Sequence, residues 1–181
     1  MKSKHSIVGV TGSIAAYKAC DLVRRLQQAR ISVDVVMSKE AGEFITPLTL
    51  QALVDGKVYY DMFKAPIDYD VEHIALAKKA QVIVIAPATA NIIGKIANGI
   101  YDDLLTCVVA ASKAPVIIAP AMNTGMYENA VVQDNIRKLK RLGMRFVGPR
   151  RGELACGDTG MGCLEEIDTI VRCVQQALRV H

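Results

Sequence analysis

The sequence predicts an α/β protein on a doubly wound parallel sheet, three layers deep, and three observations carry the prediction. Short β-branched runs recur along the chain, longer stretches of helical apolar spacing separate them, and several runs are apolar on both faces. A run such as Val82-Ile83-Val84-Ile85-Ala86 has no polar face, so helices must cover both sides of its sheet.

The strand runs are residues 7–11, 33–37, 82–86, 116–119 and 145–147. Ser13 caps the first helical stretch, 15–26, and Thr46-Pro47 opens a short helix, because a hydroxyl before the first turn accepts a free amide and proline fits that turn. Asn129 caps a helix over 131–142, and Gly143 ends it. The glycine-studded stretch 148–164 reads as a loop long enough to act as a lid or clasp. Residues 165–180 form a C-terminal amphipathic helix, completing a flavodoxin-like sandwich over a single domain, 1–181.

Composition narrows the function classes. The 181 residues are 51% apolar and 5% aromatic, with no apolar run near the roughly 18 residues needed to cross a bilayer. With no secretory leader pattern at Met1-Lys2-Ser3-Lys4-His5, the expected location is the cytoplasm. The five cysteines form no CxxC pair, which argues against structural zinc and against a secreted disulfide framework. The net charge of +4 is scattered, so no nucleic-acid partner is expected, and no membrane partner either.

Ligands of open parallel sheets gather beyond the carboxyl ends of the strands, and the chemistry-bearing segments lie there in the sequence. Gly12-Ser13-Ile14 follows the first strand and opens a helix whose free amides suit a phosphate; an ordinary turn with a serine cap fits equally well. Ser38, after the second strand, carries the same two readings. Ala86-Pro87-Ala88-Thr89-Ala90-Asn91 offers small side chains against a flat ring and two polar side chains at its edge. Asp102 and Asp103 read as helix caps, not as a metal site. Asn123 closes Pro120-Ala121-Met122-Asn123, where a side-chain amide can grip a carboxylate. Of the three histidines only His73 lies away from the termini, and Cys156 has the loop setting that favours a reactive thiol.

Together, Gly12-Ser13-Ile14-Ala15-Ala16-Tyr17-Lys18, His73, the 86–91 run, Pro120-Ala121-Met122-Asn123 and the Cys156 loop resemble the homo-oligomeric flavin-containing cysteine decarboxylases. The match is ordered and spans nearly the whole chain; Leu154-Ala155-Cys156-Gly157 favours the phosphopantothenoylcysteine branch over the peptide branch. The resemblance implies FMN as cofactor, held by Gly12, Ser13, Ile14, Ser38, Thr89, Ala90, Asn91, Ile92 and Ala121. It implies Asn123 on the substrate carboxylate, His73 and Cys156 as catalytic residues, no metal, and a site between subunits of a trimer, sometimes grouped into dodecamers.

The implied reaction is FMN-dependent decarboxylation of 4′-phosphopantothenoylcysteine to 4′-phosphopantetheine in coenzyme A biosynthesis. Hydride passes to the flavin to give a thioaldehyde, CO2 leaves, and the enethiolate is reduced. In that scheme His73 serves the oxidative half and Cys156 donates the proton at the end. A separate phosphopantothenate–cysteine ligase is implied, because bifunctional members carry that activity in a further domain. Two positions depart from the family pattern: Tyr127 replaces a usual Trp, which retunes packing, and Cys163 replaces a common Arg, so the resemblance does not carry a phosphate or substrate contact over to that position. The alternatives are a peptidyl-cysteine decarboxylase and a non-catalytic FMN-binding regulatory protein; a flavin prenyltransferase would leave Asn123 and Cys156 together unexplained.

Overall fold

A computed structural model of the protein describes residues 4–60, 72–155 and 157–180. The chain begins with strand β1 (Lys4–Val10), a 3₁₀ turn (Ile14–Lys18) and helix α1 (Ala19–Gln28), followed by β2 (Ile31–Met37), a second 3₁₀ turn (Lys39–Glu43), α2 (Pro47–Gln51) and β3 (Val58–Tyr59). After α3 (Glu72–Lys79) come β4 (Val82–Ala88), α4 (Ala90–Asn98), α5 (Leu104–Ala111) and β5 (Val116–Pro120). The last part contains α6 (Thr124–Glu128), α7 (Ala130–Arg141), β6 (Arg145–Phe146), the strands β7 (Arg150–Glu153) and β8 (Thr159–Cys163), and α8 (Ile167–Val180).

Six parallel strands form the main sheet in the order β3-β2-β1-β4-β5-β6. Leaving aside the short edge strand β3, which the sequence pattern did not reveal, this is the doubly wound flavodoxin-like order. Alternate side chains of each strand feed opposite halves of the core. Val8, Val33, Val35, Val84 and Ile117 pack on one face with Leu22 and Leu26 of α1 and Ile170 and Val174 of α8. Ile7, Ile83, Ile85 and Ile118 pack on the other with Ile93, Leu105 and Leu139. Each such aliphatic side chain contributes about 1.5–3 kcal/mol when fully buried, which explains why the central strands are apolar throughout.

Predicted caps appear where expected. Ser13, Thr46 and Asn129 each accept a backbone amide of their own first turn. Asp103 and Thr106 form a reciprocal capping box, while Asp102 lies 2.7 Å from Lys95 Nζ. The capping reading therefore holds for Asp103 but not for Asp102, which pairs with Lys95 instead; among the described residues no group of three or more His, Cys, Asp or Glu could hold a metal. No described helix is long and apolar enough to cross a membrane.

One expectation is corrected. The 148–164 stretch is not an unstructured lid: most of it forms an antiparallel hairpin, β7 on β8, with Arg150 opposite Cys163 and Glu153 opposite Thr159. Glycine usually weakens a strand, but here it lets a backbone approach other groups. A Cβ on Gly160 would overlap the Thr124 hydroxyl and one on Gly162 the Met122 carbonyl oxygen.

In the middle of β2 Asp34 is fully buried, with Lys79 Nζ at 2.5 Å, His5 Nε2 at 3.1 Å and the Lys57 amide donating at 2.8 Å. Burial alone would raise this carboxyl, but its interactions with His5, Lys79 and the Lys57 amide prevail and hold it well below the usual carboxylate range. A folded-state value lowered in this way contributes stability that is complete above the unfolded value near 4 and is lost as pH falls below it. Asp34→Asn is therefore expected to lower stability at pH 7 by about 3 kcal/mol, the modest end of the range for a broken buried pair, since Lys79 is half exposed. In thermal melts across pH, the difference from wild type should shrink on acidification; an equal melting temperature at pH 7 would count against this account.

Candidate active site

The strand order reverses between β1 and β4, and in a doubly wound sheet the ligand crevice opens at that point, beyond the strand ends. Thr11 ties the two ends together: its hydroxyl donates to Pro87 O at 2.7 Å and accepts from Thr89 N at 3.1 Å. Ala121 N then donates to Ala88 O at 3.0 Å, bringing in the end of β5, and Met122 N donates to Gly162 O at 3.0 Å, docking the hairpin alongside.

A cavity of about 740 Å³ lies there, within the size range of small-molecule sites. Its walls include Gly12, Ser13, Ile14, Thr89, Ala121 and Asn123, so the structure brings together half of the twelve site residues the sequence singled out. Leu154, Ala155 and Gly157 of the hairpin tip also line it. The tip is closed by Leu154 N donating to Asp158 O at 2.8 Å and Gly157 N donating to Leu154 O at 2.9 Å. Cys156 lies outside the described residues.

The other predicted residues are placed differently. Ser38 is buried and caps its own 3₁₀ turn, with its amide donating to Val10 O at 2.9 Å; it does not line the cavity. It supports the site from behind, since a Cβ on Gly12 would lie 2.5 Å from Glu40 Cβ in the turn Ser38 caps. Ala90, Asn91 and Ile92 lie in the first turn of α4 and also stay off the cavity wall. Ile92 points into the core, and its amide donates to the Thr89 hydroxyl at 3.3 Å. His73 is the second residue of α3, a half-buried position that does not line the cavity. Burial raises the neighbouring Glu72 carboxyl, against the opposing charge of Lys57.

Asn123 caps α6, its Oδ1 accepting Gly125 N at 2.8 Å, so the amide plane is held at the cavity wall. Sequence reasoning assigned no role to Lys18, Glu153 or Met126, which also line the cavity; the signal for Lys18 was its place at the end of the 3₁₀ turn that starts at the glycine loop.

The cavity suits a flat aromatic group carrying an anion. Gly12 lets its turn lie against Glu40 while lining the cavity, the starts of the 3₁₀ turn and of α4 converge on the crevice, and Ala121 and Thr89 offer small walls.

The profile of the family described as Flavoprotein matches residues 1–179. The Coenzyme A biosynthesis bifunctional protein CoaBC of Bacillus subtilis is 46% identical over 176 residues, covering 97% of this chain and 43% of that protein. The chain thus spans less than half the length of that bifunctional relative. The Probable phosphopantothenoylcysteine decarboxylase of Streptococcus mutans is 43% identical over 178 residues, covering 97% of this chain and 99% of that one. Among solved structures, a cysteine-to-serine mutant of PPC decarboxylase complexed with pantothenoylaminoethenethiol matches with a TM-score of 0.86 at 32% identity, covering 97% of this chain and 98% of the other. With nearly every residue inside one family match, and the ligand crevice of that fold formed by the matched segments, the chain belongs to the Flavoprotein family.

Proposed function

We propose that this protein is an FMN-dependent decarboxylase that converts 4′-phosphopantothenoylcysteine to 4′-phosphopantetheine, a step of coenzyme A biosynthesis in the cytoplasm. The observation that carries this reading is the convergence of three strand ends and the hairpin tip on one cavity, with Asn123 fixed at its wall. Similarity over nearly the full length of a probable phosphopantothenoylcysteine decarboxylase supports it.

FMN would be held by the Gly12–Ser13–Ile14 turn, Thr89 and Ala121, with Ser38 and residues 90–92 behind them, and it supplies a reversible two-electron acceptor beside the cysteine side chain. Asn123 orients the substrate carboxylate by hydrogen bonding without a full positive charge, so it does not overstabilise the group that must leave. Leu154 and Ala155 give the cavity an apolar wall at the hairpin tip that would exclude water from the reacting group. Cys156 delivers the proton that completes the product, since a thiol with an ordinary value near 8.5 is mostly protonated at neutral pH.

His73 serves as proton acceptor or orienting group in the oxidative half. Because it does not line its own chain's cavity, it acts at the cavity of a neighbouring copy in a trimer, or in trimers grouped into a dodecamer. Mixing His73→Asn with Asn123→Asp subunits, each inactive alone, should then restore activity in hetero-oligomers. The substrate itself is the product of a ligase that joins cysteine to phosphopantothenate.

The deciding experiment compares CO2 release from phosphopantothenoylcysteine with release from peptides ending in cysteine, with no added reductant. Turnover of the peptide alone would favour a peptidyl-cysteine decarboxylase, and a yellow protein that turns over neither would be a binding protein. The catalytic roles separate as well. His73→Asn is expected to reduce CO2 release by about 100-fold or more. Cys156→Ser should still release CO2 but accumulate the enethiol, two hydrogens lighter than the product. Equal loss of CO2 in both variants would refute the division of roles.

A further inference from the structure

We infer that the protein binds a second ligand, a nucleoside diphosphate, in a cationic cavity at the pole of the sheet opposite the active site. The inference goes beyond the decarboxylase reading and does not depend on it. The observation that carries it is a cavity of about 760 Å³ whose described wall residues include three lysines, Lys4, Lys78 and Lys113, and no acid. Its position follows from the strands: Lys4 is the first residue of β1, Gln81 immediately precedes β4, and Pro115 immediately precedes β5. The cavity therefore lies at the amino ends of the three central strands, whereas the crevice with Asn123 lies beyond their carboxyl ends. Strand β1 runs for seven residues, and at about 3.3 Å per residue the two cavities are roughly 20 Å apart. A ligand seated here is distinct from the one at the crevice.

Among the described residues none of the three lysines has a carboxylate within ion-pair distance, whereas the neighbouring Lys79 is neutralised by Asp34. Lys78 lies in the last turn of α3, where a cation complements the helix end. Lys4 opens a strand, and Lys113 follows Ser112, the cap of α5, so no helix turn accounts for either. Three like charges around one concavity repel one another, and a multiply charged anion removes that repulsion. The basic cluster on α7 is different: Arg137 is paired there with Asp134, whose carboxylate belongs to the same groove.

The rest of the wall selects the class of anion. Ala80, Ala114, Pro115 and Leu178 offer small apolar surface to a flat ring. Gln81 is held by its Oε1, which accepts His5 N at 2.9 Å, and this leaves its NH2 group to donate to a ring edge. Ser112 braces the wall from behind, donating to Ala77 O at 3.2 Å and accepting Ala114 N at 3.1 Å. A cavity of this size takes a nucleotide, and two linked phosphates supply the negative charge that three lysines attract as point charges.

The test is titration calorimetry of the FMN-loaded protein with ADP, AMP, adenosine and inorganic pyrophosphate, with the flavin absorption followed in parallel. ADP should bind once per chain with a Kd below about 1 mM, weaken as salt is added and leave the flavin spectrum unchanged. AMP should bind at least about 3-fold less tightly, and adenosine not measurably. Pyrophosphate, which lacks a ring for the apolar wall, should bind at least about 10-fold less tightly than ADP. Lys4→Gln and Lys113→Gln should each weaken ADP by about 3- to 5-fold, the contribution of an exposed charge, and the double variant by about 10-fold, with unchanged Tm and flavin content. The inference is overturned if ADP does not bind, if pyrophosphate or adenosine binds as tightly as ADP, if the double variant binds ADP like wild type, or if ADP displaces flavin. CO2 release enters none of these readouts, so failure here leaves the decarboxylase reading standing.

Discussion

Asn123→Asp should abolish CO2 release, by about 100-fold or more, in a protein that still folds and still binds flavin. Asparagine and aspartate cap helices about equally well, so the new carboxylate can accept Gly125 N as the amide does now. Stability should therefore stay near wild type. The cavity wall, however, would carry a negative charge against the substrate carboxylate and would lack the amide N–H donors. Asn123→Ala is the companion variant: it removes cap and donors together, costing about 1 kcal/mol of stability as well as activity. If Asn123→Asp kept more than a tenth of wild-type turnover, the carboxylate would be held elsewhere and Asn123 would be only a cap.

Gly162→Ala should undo the site by a different route. A Cβ at this position would overlap the Met122 carbonyl oxygen and approach its carbonyl carbon to 3.2 Å, and φ there is +150°. Backbone cannot move aside as a flexible side chain would. The hairpin must lift away, breaking the bond from Met122 N to Gly162 O that docks it beside Asn123. The expected cost is about 3 kcal/mol, or near 10 °C in Tm for a chain of this size, with loss of turnover. Gly94→Ala is the control: its Cβ would meet only Asn135 Nδ2 at 3.8 Å, and a helical alanine should stabilise by up to about 1 kcal/mol. Wild-type melting and turnover in Gly162→Ala would show that the hairpin is not needed where it sits.

Much of the molecule was legible from residue order alone. Two-sided apolar runs identified the central strands, and Ser13, Thr46, Asn129 and Asp103 marked helix starts, because these signals act within one turn or one strand. Boundaries were less legible. The stretch read as one helix over 15–26 is a 3₁₀ turn followed by α1, because the chain must first clear the crevice beside Gly12. The two-residue strand β3 carries too short a pattern to register, and its pairing with Val35 and Val36 is a long-range fact.

The hairpin of β7 and β8 shows why local reasoning stops where it does. Gly160 and Gly162 look like breakers until one sees what they meet, Thr124 and Met122, both brought there by β5. Similarly, nothing near His73 in the chain says that it lies away from its own cavity, and nothing near Lys18 says that it is the cavity's single described cation. The sequence alone determined the sheet, most caps and the identity of the segments that end at the crevice, since periodicity and capping are short-range. Only the tertiary structure decided which of those segments share a wall and which charges remain without a counter-ion, because both depend on pairings between residues far apart in the chain.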